Sequence, residues 1–132
     1  MEIVITTNAN QVAGDLARRG AAILDILQGP LDRGAFRIEA AMKIYLAARS
    51  ESRYRRTGTL GRRWTTRRIS AAGMAGREVG NNTEYAPWVQ SSELQAYMHR
   101  GVWQTDEDVI RRQAPGIVRD VESTLASALE AW

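Results

Sequence analysis

The stretch Tyr54-Arg55-Arg56-Thr57-Gly58-Thr59-Leu60-Gly61-Arg62-Arg63-Trp64-Thr65-Thr66-Arg67-Arg68 separates two unlike parts of the chain. It sets six arginines around one Trp, one Leu and two Gly. Thr57-Gly58-Thr59 is a turn signal, while Trp64, Thr65, Thr66 and Ile69 favour extended backbone. The small residues from Ala71 to Gly76 suit a hairpin tip, and Arg77 to Asn82 can return as the partner strand. Neighbouring strand residues point to opposite faces, so the pairs 55/56, 62/63 and 67/68 cannot share one face. The expectation is a long, basic, flexible hairpin standing out from the body.

Upstream, Glu2-Ile3-Val4-Ile5-Thr6 is short and β-branched and predicts a strand, with Asn8 or Asn10 opening the next element. Val12, Leu16, Ile23 and Leu27 recur at helical spacing, widened by Ala13, Ala17 and Leu24. Gly29-Pro30 predicts the end of that helix, because Pro removes a donor and restricts the residue before it. A second helix is expected from Leu31 to about Glu51. Its apolar stripe is Leu31, Ala35, Ile38, Met42 and Tyr45, with Asp32, Arg33, Arg37 and Lys43 facing outward. Both stripes read as core.

Downstream, Thr83 to Val89 suits a short helix or turn, and Ser91-Ser92 a cap for another short helix through Met98, broken by Gly101. Thr105-Asp106-Glu107-Asp108 is a helix start, with Thr as N-cap and three acids favoured by the dipole. The last helix carries Val109, Ile110, Ile117, Val121, Leu125 and Leu129, and Pro115-Gly116 should kink or divide it. The expected fold is α+β over residues 1–132 as a single domain. Two N-terminal helices and a C-terminal helix pack on a small antiparallel sheet carrying the Arg-rich hairpin.

A length of 132 residues supports one core, and 44% hydrophobic with 25% charged residues is ordinary for a globular chain. With no cysteine, disulfides, zinc-thiolate sites and thiol catalysis are excluded. No window approaches the apolar length of a membrane span and no signal peptide is visible, so a soluble protein made in the cytoplasm is expected. The net charge of +3 is unevenly spread. Residues 1–48 balance, residues 49–68 carry eight Arg against Glu51, and residues 69–132 carry five Arg against nine acids. Arg supplies 17 of the 18 basic residues, and its planar fork favours carboxylates and phosphates. The middle of the chain is built to meet an anion, either a nucleic-acid backbone or an acidic face of another subunit.

No catalytic constellation stands out. His99 is the only histidine and has no nucleophile or carboxylate pair at triad spacing; it reads as a structural group beside Trp103. Asp106-Glu107-Asp108 is explained by dipole capping rather than metal binding. Gly58-Thr59-Leu60-Gly61 matches a bare G-x-x-G, but the flanking βα pattern of a KH domain is missing. Tyr85, Trp88, Tyr97 and Trp103 suit either a satellite core or an exposed anchor patch. No enzyme, metal or cofactor is expected.

Three segments together carry a resemblance. Tyr54-Arg-Arg-Thr57-Gly58-x-Leu60-x-x-x-Trp64 resembles the R-T-G-x-L-x-x-S-W core of the neck or tail-completion proteins of long-tailed phages, a family of minor tail and virion-morphogenesis proteins. Asn81 or Asn82 with Tyr85, Ala86 and Val89 resembles the family's N-x-x-x-Y-A-x-x-V segment. Gln95, His99, Trp103 and Thr105 resemble the Q-x-x-x-H-x-x-x-W-x-T of one branch. Order and spacing agree over about residues 54–105. Arg63 stands where the family often has Ser, and the A-R-P-F-L segment of another branch is absent.

The resemblance implies a non-enzymatic virion protein that forms a ring at the head–tail junction or tail top, joining capsid and tail and letting DNA pass. Implied partners are copies of itself, six by analogy with a six-fold tail or else twelve, and adjacent head-completion, connector and tail-terminator proteins. Arg55, Arg56, Arg62, Arg63, Arg67 and Arg68 become candidates for the subunit interface or a DNA channel. The alternative is a small basic nucleic-acid-binding protein.

Overall fold

In a computed structural model, the structure describes residues 2–4, 9–45, 57–69, 71 and 73–131. The predicted Tyr54, Arg55 and Arg56 lie outside these residues. The fold is α+β: the described residues form four α-helices and one 3-10 turn with a two-stranded antiparallel sheet. In chain order these are α1 (Ala9–Met42), α2 (Thr59–Arg62), β1 (Trp64–Arg68), β2 (Arg77–Asn81), α3 (Ala86–Gln90), the 3-10 turn Tyr97–His99 and α4 (Asp106–Glu130).

The expected break at Gly29-Pro30 does not occur. α1 is one helix of 34 residues with Pro30 inside it and fully buried, so one long helix replaces the two predicted. An internal proline costs about 3 kcal/mol through its lost bond and ring clash. Tertiary contacts on both sides of the ring offset that cost. Gln28 donates to Asp32 Oδ1 at 2.7 Å, bridging the proline, and also to the Gly76 carbonyl at 3.1 Å. The helix ends at Met42, and the expected continuation from 46 to 51 falls outside the described residues. Glu2 to Val4 are not a strand, and Ile3 and Val4 stand exposed. The remaining residues of that expected strand are not described.

α4 runs uninterrupted through Pro115, so the proline does not divide it. Its start is as expected. Thr105 Oγ1 accepts from the Asp108 N–H, and Asp108 Oδ2 accepts from the Thr105 N–H at 3.0 Å, closing a capping box. α1 and α4 pack antiparallel: Ala41 and Met42 bury against Val109, and Arg33 clamps Asp120 with two bonds of 2.9 Å. Near the middle, a Cβ on Gly34 would lie 2.9 Å from Ile117 Cγ2, so the helices meet where a side chain is missing.

The hairpin forms with the expected strands, pairing Trp64 with Asn81 through Arg68 with Arg77. It does not stand out from the body; it lies along α1. Trp64, Thr66, Arg77, Val79 and Asn81 are half-buried on the inner face, while Thr65, Arg67 and Glu78 face solvent. Arg67 and Arg68 therefore diverge, as alternation requires. Arg67 pairs outside with Glu78 at 2.7 Å, and Arg68 reaches Asp32 of α1 at 2.8 Å.

Candidate interaction surface and motif core

The three motif segments fold into one small core. Leu60, on α2, is buried with Ala86 and Val89 of α3, and Tyr45 and Trp103 close the cluster. Gly58 supplies the entry to α2 with φ of 75°, the left-handed region that favours glycine. The hydroxyls of Thr57 and Thr59 lie 2.9 Å apart across that turn. Trp64 Nε1 donates to the Tyr45 hydroxyl at 2.8 Å, and burial raises the pKa of that phenol above its ordinary value. Tyr45 tilts against Trp103 with ring centroids 5.2 Å apart, and His99 meets the other side of Trp103 edge-on at 6.3 Å. His99 thus sits where the sequence placed it, beside Trp103.

Side-chain amides stitch the segments to one another. Asn81, rather than Asn82, links the first two: it donates to the Leu60 carbonyl at 2.8 Å and accepts from the Thr83 N–H at 2.9 Å. Gln95 donates to the carbonyls of Val89 at 2.7 Å and Trp103 at 3.0 Å. Thr105 caps α4. Each described motif residue named above thus has a contact or hydrogen bond within the subunit, while Tyr85 is exposed.

Two further glutamines carry no signal in the sequence pattern. Gln90 is 3% exposed and donates to the carbonyls of Met42 at 3.3 Å and Gln104 at 3.4 Å. Gln104 donates to the carbonyls of Ala41 and Ile44. Together they supply donors to carbonyls at the end of α1, from residues 48 to 63 positions away. Helix-capping rules look one turn away and miss such partners.

The candidate arginines separate into two groups. Arg67 and Arg68 are held by acids of the same chain. Arg77, half-buried, also reaches Asp32 at 3.3 Å and lies over the Phe36 ring at 4.7 Å. Asp32 was expected to face outward; instead it joins α1 to both strands, and the Arg68 guanidinium, with Gln28 and Arg77, lowers its pKa below the ordinary value. Arg62 donates to the Thr57 carbonyl at 3.2 Å and is exposed, as is Arg63. Neither makes an ion pair among the described residues.

The aromatic residues also separate. Trp103 belongs to the motif core, while Trp88 at 55% and Tyr97 at 79% exposure stand at the surface with Leu94 and Met98. The Ala96 N–H donates to the Trp88 carbonyl at 2.8 Å, placing α3 beside the Tyr97–His99 turn and joining these side chains in one corner. An exposed cluster of this composition suits protein contact. Among the described residues no group of three His, Asp or Glu could hold a metal ion, and no helix is long and apolar enough to cross a membrane. Comparison with family models, curated proteins and solved structures finds no match to this chain.

Proposed function

We propose that the chain is a structural subunit of a tailed-phage neck or tail-completion assembly, forming a ring of identical copies through which DNA passes. One observation carries this reading: the three motif segments, spread over residues 57–105, meet in a single interlocked core. Chance matches have no reason to touch. A shared core gives the three a common physical cause and supports treating them as one signature. The exposed aromatic corner, and the exposed Arg62 and Arg63, which form no ion pair among the described residues, supply surface for neighbours and for an anionic lumen.

Electron microscopy of the purified protein, alone and with phage tails lacking it, tests the proposal. A closed ring, or a ring seated at one tail end, is the expected result and gives the subunit number. The second reading, a nucleic-acid-binding monomer, is favoured by the same two arginines. A strict monomer that ignores tails and shifts DNA in a gel, with affinity falling steeply as salt rises, would replace the first reading with the second.

A further inference from the structure

The motif core is open on one side. A cavity of about 130 Å³ reaches the buried Leu60 and Val89. Tyr45, Trp103 and His99 form a continuous aromatic wall, and Tyr85, 41% exposed, stands at the rim. No Asp, Glu, Lys or Arg lines it. An engineered cavity of about 150 Å³ holds benzene, so this volume suits one six-membered ring. Aromatic walls favour a flat occupant, through offset-stacked and edge-to-face contacts.

The lining also asks for polar edges on that occupant. Neither the Tyr85 hydroxyl nor the His99 imidazole makes a hydrogen bond among the described residues, and groups of both kinds donate as well as accept. A phenyl or alkyl side chain from a protein partner would leave both unmet. A nucleobase carries donors and acceptors around its ring.

Charge at the lip completes the requirement. Arg62 Nη2 donates to the Thr57 carbonyl at 3.2 Å, and a Cβ on Gly58 would lie 2.9 Å from Arg62 Nη1. Thr57 and Gly58 both line the cavity, so the exposed guanidinium sits at its edge. It forms no ion pair among the described residues, and a neutral carbonyl leaves its charge unmet. Clefts elsewhere carry arginines already engaged within the chain, Arg67 with Glu78, Arg68 with Asp32 and Arg112 with Gln104. An uncharged aromatic cavity with an unneutralised guanidinium beside it fits a ligand that joins a flat ring to an anion.

We infer that the cavity is a nucleotide site: a pyrimidine base occupies it and the attached phosphate meets Arg62. Base–aromatic stacking with a basic contact to the backbone is how unpaired strands are held. The nucleotide is either free or an unpaired position of a single strand; a base stacked inside a duplex cannot reach the cavity. The inference stands apart from the ring reading, because assembly does not require the cavity to be filled.

Amide NMR spectra recorded with thymidine monophosphate, thymidine, inorganic phosphate and a short thymidylate strand test it. The monophosphate should shift amides of residues 57–61, Tyr85, Val89, His99 and Trp103. Thymidine should shift the same amides with lower affinity, and phosphate alone should not reproduce the pattern. Arg62→Gln should reduce the affinity for the monophosphate to that for thymidine. Tyr85→Ala should weaken both ligands by about fivefold or more, and Tyr85→Phe, which keeps the ring, should lose less. Both side chains are exposed, so circular dichroism should show parental helicity. Tighter binding by the strand at the same amides identifies a single strand as the source, and equal affinity identifies the free nucleotide. The inference is overturned if neither monophosphate nor strand moves these amides, if phosphate alone reproduces the shifts, or if Tyr85→Ala and Arg62→Gln bind like the parent. Rings that form while the cavity stays inert would remove this inference and leave the ring reading standing.

Discussion

Asp32 shows how one carboxylate can decide whether a hairpin docks. Arg68 and Arg77 are directly opposite in the strand register, an arrangement of like charges that weakens a pair of strands. Asp32 accepts from both, at 2.8 and 3.3 Å, and Gln28 adds a third bond. The pattern of α1 assigned Asp32 to solvent, because its partners come from 36 and 45 residues downstream. Periodicity reports which face of a helix is apolar, not which acid a later strand will use. Asp32→Asn should leave the two guanidinium groups unneutralised and raise amide exchange in Trp64–Arg68 and Arg77–Asn81, with α4 unaffected. An Asp32→Asn, Arg77→Gln double variant should recover part of the protection. The acid limb of stability follows from the same bonds. Asp32, Asp108 and Asp120 all have folded pKa values lowered, by Arg68, by the Thr105 N–H and by Arg33 respectively. Their contribution is complete above the unfolded carboxylate pKa and is lost as pH falls through the lower folded values. Thermal stability should be level from neutral pH to about 5 and decline below about 4.

At the scale of elements, most of what is local was legible, the β-branched Ile3 and Val4 excepted, and what is tertiary was not. The start of α4 could be read from Thr105-Asp106-Glu107-Asp108, because a capping box lies within four residues. Both strands of the hairpin were read from turn and β-branched residues for the same reason. Pro30 misled, because the forces that keep α1 continuous come from α4 and from Gly76 of the hairpin. Gly34 gives the clearest test of that interhelical seam. In an isolated helix Gly→Ala is worth up to about 1 kcal/mol of stability. Here the added carbon would meet Ile117 Cγ2 at 2.9 Å and Cγ1 at 3.1 Å, both on a β-branched side chain with little room to rotate. Overpacking of this kind costs about 1–3 kcal/mol. Gly34→Ala should therefore lower the midpoint of urea unfolding, and adding Ile117→Val or Ile117→Ala should restore part of it. Gly20, whose added Cβ would touch nothing, supplies the control: Gly20→Ala should stabilise.

For the molecule as a whole, the unequal charge distribution was plain in the sequence, but its internal neutralisation was not. The +7 of residues 49–68 suggested one anionic partner for the whole cluster. Arg67 and Arg68 instead meet Glu78 and Asp32 of their own chain, so reversing them would mix loss of hairpin docking with loss of any partner. Arg62 and Arg63 lie outside those pairs and give the cleaner test. Arg63→Glu should keep parental helicity and thermal midpoint, since its side chain is exposed and makes no ion pair among the described residues. If Arg63 faces a neighbouring subunit, the substitution should block assembly. If it faces DNA, rings should form normally while the slope of log affinity against log salt falls by about one for each phosphate contact removed. Arg68→Glu should fail differently, with faster exchange of the strand amides before any assembly is measured. Comparing the two variants separates charge that builds the subunit from charge that the subunit presents.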